Sequence, residues 1–436
     1  VLKRGNNFMN NKITNYKDLN NKSILLKLNR KEFYGTFYIK NQKLFLNINM
    51  TNDIDEWRST CNDIEFISAT FVENRKQITL LNCIYSGYSS SGYNPIKKAC
   101  AIFMIDRVLL DYDLTTYEEK FISNIRVEYK DISWLTNEKI YKNNTLKNSI
   151  TITPIYKEYK MNDKTITIDI LPSLVEKENK IEINCIMNFT YVFKNKQNIA
   201  SALQYVYLIK NLLMLLGKRN IDVTSQNIID DSKIYELMDC ITDMNIKIEN
   251  EELVNRLNHR NGFKIEDMCN FTSIIEKFED FYERLESLLE LYYNVVKYDV
   301  PNLTRFVNDL TMLENYSREF DDNNALILTI AKKVKKPHNG AEFIDRVKSL
   351  IININDVLNL SATSIDDISK KIKDARTYYV HYDNSGLKLD ENEIFNYVYF
   401  IEDIIIINIY LSLGININKI EYVSYNGYYY DIAKLI

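Results

Sequence analysis

The chain has 436 residues, of which 46% are hydrophobic and 26% charged, with a formal net charge of -4. That length is too great for one ordinary core and predicts two or three domains, and the composition is that of a folded soluble protein rather than a disordered one. A slightly acidic balance excludes a global electrostatic pull toward nucleic acid, so any polyanion site must be a local basic patch. Six scattered cysteines form no Cys-x-x-Cys pair, and no histidine stands at metal-ligand spacing from them. They read as buried thiols in a reducing, cytoplasmic compartment, with no metal centre and no cofactor expected. The first seven residues, Val1 to Asn7, hold neither an initiator methionine nor the apolar core of a signal peptide.

From Ile24 to about Phe193 the apolar residues alternate with period two. Strands are predicted at Ile24–Leu28, Phe33–Ile39, Leu44–Met50, Ile64–Val72, Gln77–Tyr85, Ala99–Leu110, Ile122–Tyr129, Ile150–Tyr156, Thr165–Leu171 and Lys180–Phe193. Ten successive strands with no helix between them predict an antiparallel sandwich-like or barrel-like half. The run from Gly87 to Gly92, closed by Pro95, predicts a flexible surface loop. Near Ile199 the period becomes helical, with Ala202, Tyr205, Val206, Ile209, Leu212, Leu213 and Leu216 on one face and Gly217 as the stop. Asp222 to Asn250 mixes an extended stretch with a helix predicted around Tyr235 to Ile241.

From Glu266 onward the pattern is helical. Five helices are predicted: one through Phe278 and Leu285, one after Pro301, one through Phe343 and Leu350, one opened by a capping box at Ser364 to Asp367, and Ile394 to Leu413. With short connections they make a bundle. Glu402 and Asp403 in the middle of the most apolar run argue for a buried bundle helix and against a membrane span. The domain reading is therefore 1–197 β-rich, 198–262 connecting, and 263–436 helical, an α+β chain overall.

The candidate site lies in the fourth bundle helix, where Arg376 precedes His381, one of three histidines, by five positions. A guanidinium can hold a phosphate through two parallel hydrogen bonds, and an imidazole can exchange a proton near neutral pH. Ile365, Ile368, Ile372, Ala375 and Tyr379 share a face with Arg376 at its edge. On a straight helix His381 would sit about 140° around and roughly 7.5 Å along the axis, too far to share one phosphate. Either the helix ends at Asp383-Asn384-Ser385-Gly386 and lets His381 swing back, or two motifs face each other across a two-fold dimer. Without further context the same residues fit a helix-terminal arginine paired with an acid and a histidine bonded to backbone. Tyr378 and Tyr382 could stack an unpaired base, whereas Tyr379 falls on the apolar stripe. Glu314 and Arg318 could orient the pair, or simply form a salt bridge one turn apart. Lys332, Lys333, Lys335, Lys336 and His338 make the densest basic run, a solvated loop or a phosphate-steering patch.

The wording Ala-Arg-Thr-Tyr-Tyr-Val-His-Tyr-Asp within a C-terminal bundle resembles a HEPN ribonuclease domain of the ApeA-like anti-phage branch. Arg305-Phe306 and Leu313 to Arg318 resemble its second-helix pattern, and Phe33-Tyr34-Gly35, Thr79 to Cys83 and Val127 to Leu135 resemble the ApeA N-terminal domain. One position departs, since Thr377 stands where members often carry an asparagine. The resemblance implies metal-independent cleavage of host RNA in abortive infection, tRNA loops among the candidates, with 2′,3′-cyclic phosphate and 5′-OH ends. It also implies a homodimer or higher homo-oligomer through the bundle and a β domain that senses an unknown phage trigger or holds the bundle inactive. The other reading is a HEPN-type module that binds a nucleotide or a partner protein without cleaving.

Overall fold

The computed structural model describes residues 13, 15–28, 31–51, 63–91, 98–111, 122–129, 141–144, 149–152, 155–177, 180–218, 220–230, 233–240, 270–297, 300–321 and 342–416. The β half opens with a short 3-10 helix, Tyr16–Leu19, and continues through β1 (Ser23–Leu28), β2 (Lys31–Lys40), β3 (Lys43–Thr51), β4 (Ile64–Phe71), β5 (Gln77–Ser91) and β6 (Lys98–Leu110). These six strands run in the order β6-β3-β2-β1-β4-β5, and β5 pairs back onto β6, so the sheet closes into a barrel. Alternate residues point inward, among them Ile24, Leu26, Phe37, Leu46, Ile67, Leu80 and Phe103, and they make a core of their own.

Next come β7 (Ile122–Tyr129), β8 (Tyr141–Asn144), β9 (Ser149–Ile152), β10 (Ile155–Lys160), β11 (Lys164–Lys177), β12 (Lys180–Gln197), helix α1 (Ile199–Gly217), β13 (Val223–Asp230) and β14 (Lys233–Asp239). β8 and β9 form a separate pair, while the rest form the open flank β10-β11-β12-β7-β13-β14. The hairpin β13–β14 joins the flank to the barrel, because β13 pairs with β7 and β14 pairs with the end of β6.

Three expectations are corrected here. Tyr235 to Asp239 is a strand, not a helix, since it has partners on both edges and Leu237 and Met238 are buried. Gly87 to Ser91 is not a loop but the end of β5, paired with β6 after a register shift between Tyr85 and Gly87. Gly87 there has φ +143, which a side chain would resist. Ile150–Tyr156 divides into two strands, β9 and β10.

The helical half consists of α2 (Phe271–Lys297), α3 (Asn302–Asp321), α4 (Phe343–Asn353), α5 (Asn355–Leu358), α6 (Ala362–Tyr379) and α7 (Glu391–Leu413). α3 packs against α2, α4, α6 and α7, which makes it the central rod. The cap of α6 is Ser361, whose hydroxyl accepts from the Ser364 amide at 3.1 Å, one turn earlier than the expected box at Ser364. α1 and α7 are long and apolar enough to cross a membrane by length and composition, yet most of each is buried in the protein. Glu402 of α7 accepts the Arg305 fork at 2.5 and 2.6 Å, and Asp403 pairs with Lys218 at the end of α1. The basic run Lys332 to His338 and His259 lie outside the described residues.

Candidate catalytic site

α6 buries Ile365, Ile368, Ile372 and Ala375, which fixes its rotation and leaves Arg376 at the margin of the buried face. The last turn is short. Tyr379 is the final helical residue, Val380 caps it through its amide to the Arg376 carbonyl at 2.9 Å, and His381 lies in the turn beyond. The chain then folds back along the helix it has just left. The Asp383 amide donates to the Thr377 carbonyl at 3.2 Å, and the Leu387 amide to the Asp374 carbonyl at 3.0 Å.

The sequence of this turn explains the reversal. Tyr382 takes the left-handed conformation with φ 55, and the Asp383 carboxylate accepts the Ser385 amide at 2.9 Å. Those hydrogen bonds from Ser385 hold the Asp383 carboxyl below the usual carboxylate range, with the charge of His381 adding to the effect. Gly386 crosses the helix so closely that an added Cβ would stand 2.6 Å from the Asp374 carbonyl oxygen and 2.9 Å from the Tyr378 Cα. Only glycine fits. The helix end that the first of the two geometries requires is therefore present, and it leaves His381 without a hydrogen bond to Arg376 among the described residues.

Arg376 is held on two sides. Its Nε donates to Oε2 of Glu314 at 2.9 Å, its Nη2 bonds the same oxygen, and its Cζ lies 4.7 Å from the centroid of the Phe343 ring. Both Arg376 and Glu314 side chains retain 16% exposure. Glu314 uses its other oxygen, Oε1, for Nη2 of Arg318, one turn along α3 and 64% exposed. Arg376, Glu314 and Arg318 are thus brought together, while His381 stands exposed at the helix end with no hydrogen bond to Arg376 among the described residues.

The remaining candidates separate. Thr377 spends its hydroxyl on the Lys373 carbonyl at 3.1 Å, a back-bond within the helix. Tyr379 donates to the Leu389 carbonyl at 3.0 Å and meets Phe306 edge-on at 5.6 Å, so it belongs to the packing. Tyr378 packs edge-on against Tyr379 at 4.9 Å and is half-buried. Tyr382 is 88% exposed. Phe343 is the residue that sequence reasoning missed as a site member. As the first residue of α4 it read only as core, and nothing in its spacing marks a stacking partner for Arg376.

Residues 24–285 match the family model of ApeA N-terminal domain 1, and residues 307–419 match that of the Apea-like HEPN domain. The chain belongs to the ApeA family. This ApeA-family protein is a HEPN-type anti-phage effector, and HEPN domains are generally RNases that bind RNA and often dimerise, so at the family level it is a nuclease. No curated protein matches it. Two solved structures show local similarity. One is PlzA of Borreliella burgdorferi in complex with c-di-GMP, 9% identical over 43% of this chain and 86% of its own, TM-score 0.14. The other is MrkH, a c-di-GMP-dependent transcription regulatory factor, 9% identical over 44% of this chain and 85% of its own, TM-score 0.13. At such TM-scores neither bears on what the ApeA-family chain binds.

Proposed function

We propose that this protein is a metal-independent endoribonuclease in which Arg376 and His381 cleave host RNA, with exposed tRNA loops among its substrates. The observation that carries the reading is the end of α6, where an anchored guanidinium and an exposed imidazole stand on either side of the helix terminus. Arg376 holds the scissile phosphate and stabilises charge as the 2′ oxygen bonds to phosphorus and the 5′ oxygen departs. His381 exchanges a proton with the 2′-OH or with the leaving 5′ oxygen. The attacking 2′-OH restricts the reaction to RNA, and its products are a 2′,3′-cyclic phosphate and a 5′-OH. Glu314, with Arg318 on its far oxygen, orients Arg376; Thr377 supports the last turn, and Tyr378 and Tyr382 flank the path of an unpaired base. A second copy facing the first across the bundle would bring two such sites together, in the cytoplasm where host RNA is available.

The test is incubation of the purified chain with total RNA in EDTA, read by gel and by end-group chemistry. Cleavage should persist in EDTA, and His381→Ala should lower it by about 100-fold or more. Because His381 is exposed, the variant should keep its circular dichroism and melting temperature. Loss of cleavage in EDTA, or full activity in the variant, would defeat the mechanism; retained RNA binding without cleavage by the wild type would favour the binding-module reading.

A further inference from the structure

We propose that Arg318 is a second phosphate-binding residue, one that takes the phosphate next to the scissile one on the same RNA strand. This rests on the reading of Arg376 as the scissile-phosphate ligand, and it follows from how the two arginines share one carboxylate. Oε2 of Glu314 accepts from Nε of Arg376 at 2.9 Å and from its Nη2, while Oε1 accepts from Nη2 of Arg318. The two guanidinium heads are therefore separated by little more than the width of a carboxylate with a hydrogen bond on each side. That span is of the kind that consecutive phosphates of one strand present.

Charge and freedom differ between the two arginines in the way this role needs. One carboxylate against two guanidiniums leaves the trio with a surplus positive charge, and each guanidinium has five donors, most of which Glu314 does not use. Arg376 is 16% exposed and stacked on Phe343, so it keeps its place. Arg318 is 64% exposed, and among the described residues it is tied by an i,i+4 pair to Glu314. Such pairs contribute roughly 0.2 to 0.5 kcal/mol, so exchanging that carboxylate for a phosphate costs Arg318 little. When Arg318 leaves, Glu314 keeps both bonds from Arg376 on Oε2, and the carboxylate, 16% exposed, can meet water through Oε1.

Binding of two short single-stranded RNAs separates this from a merely orienting role, using His381→Ala protein so that nothing is cleaved. One RNA carries all its phosphates; in the other every second phosphate is a neutral methylphosphonate, so no two charges are adjacent. Arg318→Gln should weaken the first about tenfold and leave the second nearly unchanged. It should also reduce the slope of log K against log salt by about 0.7 for the fully charged strand. Arg318→Lys, which keeps the charge, should restore most of both effects. Equal weakening of the two RNAs, or no change in either, would overturn the proposal. Failure of the underlying nuclease reading shows up separately, as a wild-type chain whose binding depends on Arg318 yet which cuts no RNA.

Discussion

At the scale of single residues, the site is a matter of how firmly Arg376 is held. Glu314 supplies a charge-assisted fork and Phe343 an aromatic face, and neither is redundant because they act on different sides of the guanidinium. Glu314→Gln keeps the shape but removes the charge, and kcat/KM for RNA should fall by about 10- to 100-fold through misplacement of Arg376. Phe343→Leu should cost about two- to fivefold and Phe343→Tyr should recover it, since the cation–π contact is worth roughly 0.5 to 1 kcal/mol. Steady-state kinetics on one oligonucleotide decides both; Tyr and Leu variants that behave alike would remove the aromatic contribution. The Arg376 to His381 spacing and the helix-ending Asp383 to Gly386 turn were legible in sequence because both are local. Phe343 was not, because its role depends on two helices meeting, and a first-turn phenylalanine has the same signature whether it touches leucine or arginine.

At the scale of elements, α3 carries more than its share of polar chemistry into the interior. Arg305 forks onto Glu402 of α7 beneath Tyr399, while Asp309, one turn on, is fully buried with neither carboxylate oxygen hydrogen-bonded among the described residues. Burial first, and then the charge of Glu402, pushes the Asp309 carboxyl well above the ordinary carboxylate range. The sign follows directly. The unfolded carboxyl loses its proton near pH 3.9, whereas the folded one keeps it to higher pH, so the folded state holds more protons between the two values. Stability from this group is full at pH below about 4 and falls as pH rises toward the folded pKa, by at most about 1.4 kcal/mol per pH unit. Asp309→Asn should flatten the urea-denaturation midpoint against pH relative to wild type, and should raise it at neutral pH; an unchanged pH profile would mean that Asp309 is ionised in the fold. The same scale shows where sequence patterns mislead. Nine of the ten alternating runs each fall on one strand of the β half, but Tyr235 to Asp239 became a strand because β6 and β13 offer it two edges. Gly87 to Ser91, a loop by composition, is held straight by β6.

At the scale of the whole molecule, the hydrophobic cores divide the chain differently from its secondary structure. The barrel β1 to β6 has one core, to which β14 adds Met238, whereas the open flank β7 and β10 to β13 shares a single continuous core with α1 and all the bundle helices, joined there by Leu81 of β5, Leu109 of β6 and Leu237 of β14. α1 is the strut between them. Tyr293 donates to its Asn211 carbonyl at 2.9 Å, Tyr410 to its Leu215 carbonyl at 2.7 Å, and Lys218 at its end pairs with Asp403. On the flank, Lys164 bridges to Glu279 of α2 at 2.7 Å and lies 4.0 Å over the Tyr205 ring of α1. Toward the barrel, Arg107 of β6 donates to the Tyr207 hydroxyl of α1 at 2.7 Å. A HEPN bundle whose interior is continuous with half of the β region cannot unfold without it, so calorimetry should resolve one transition for the barrel and one for the flank with the bundle, instead of one for strands and one for helices. Ile209 of α1 and Phe103 of β6 are both fully buried, one in each core. Ile209→Ala should remove about 2 to 5 kcal/mol and lower the transition with which RNA cleavage is lost, while Phe103→Ala, at about 3 to 5 kcal/mol, should lower the other and leave the catalytic transition in place. If both substitutions move a single shared transition, the ties through β14 and Arg107 couple the barrel to the bundle, and so to Arg376, more strongly than two separate cores imply.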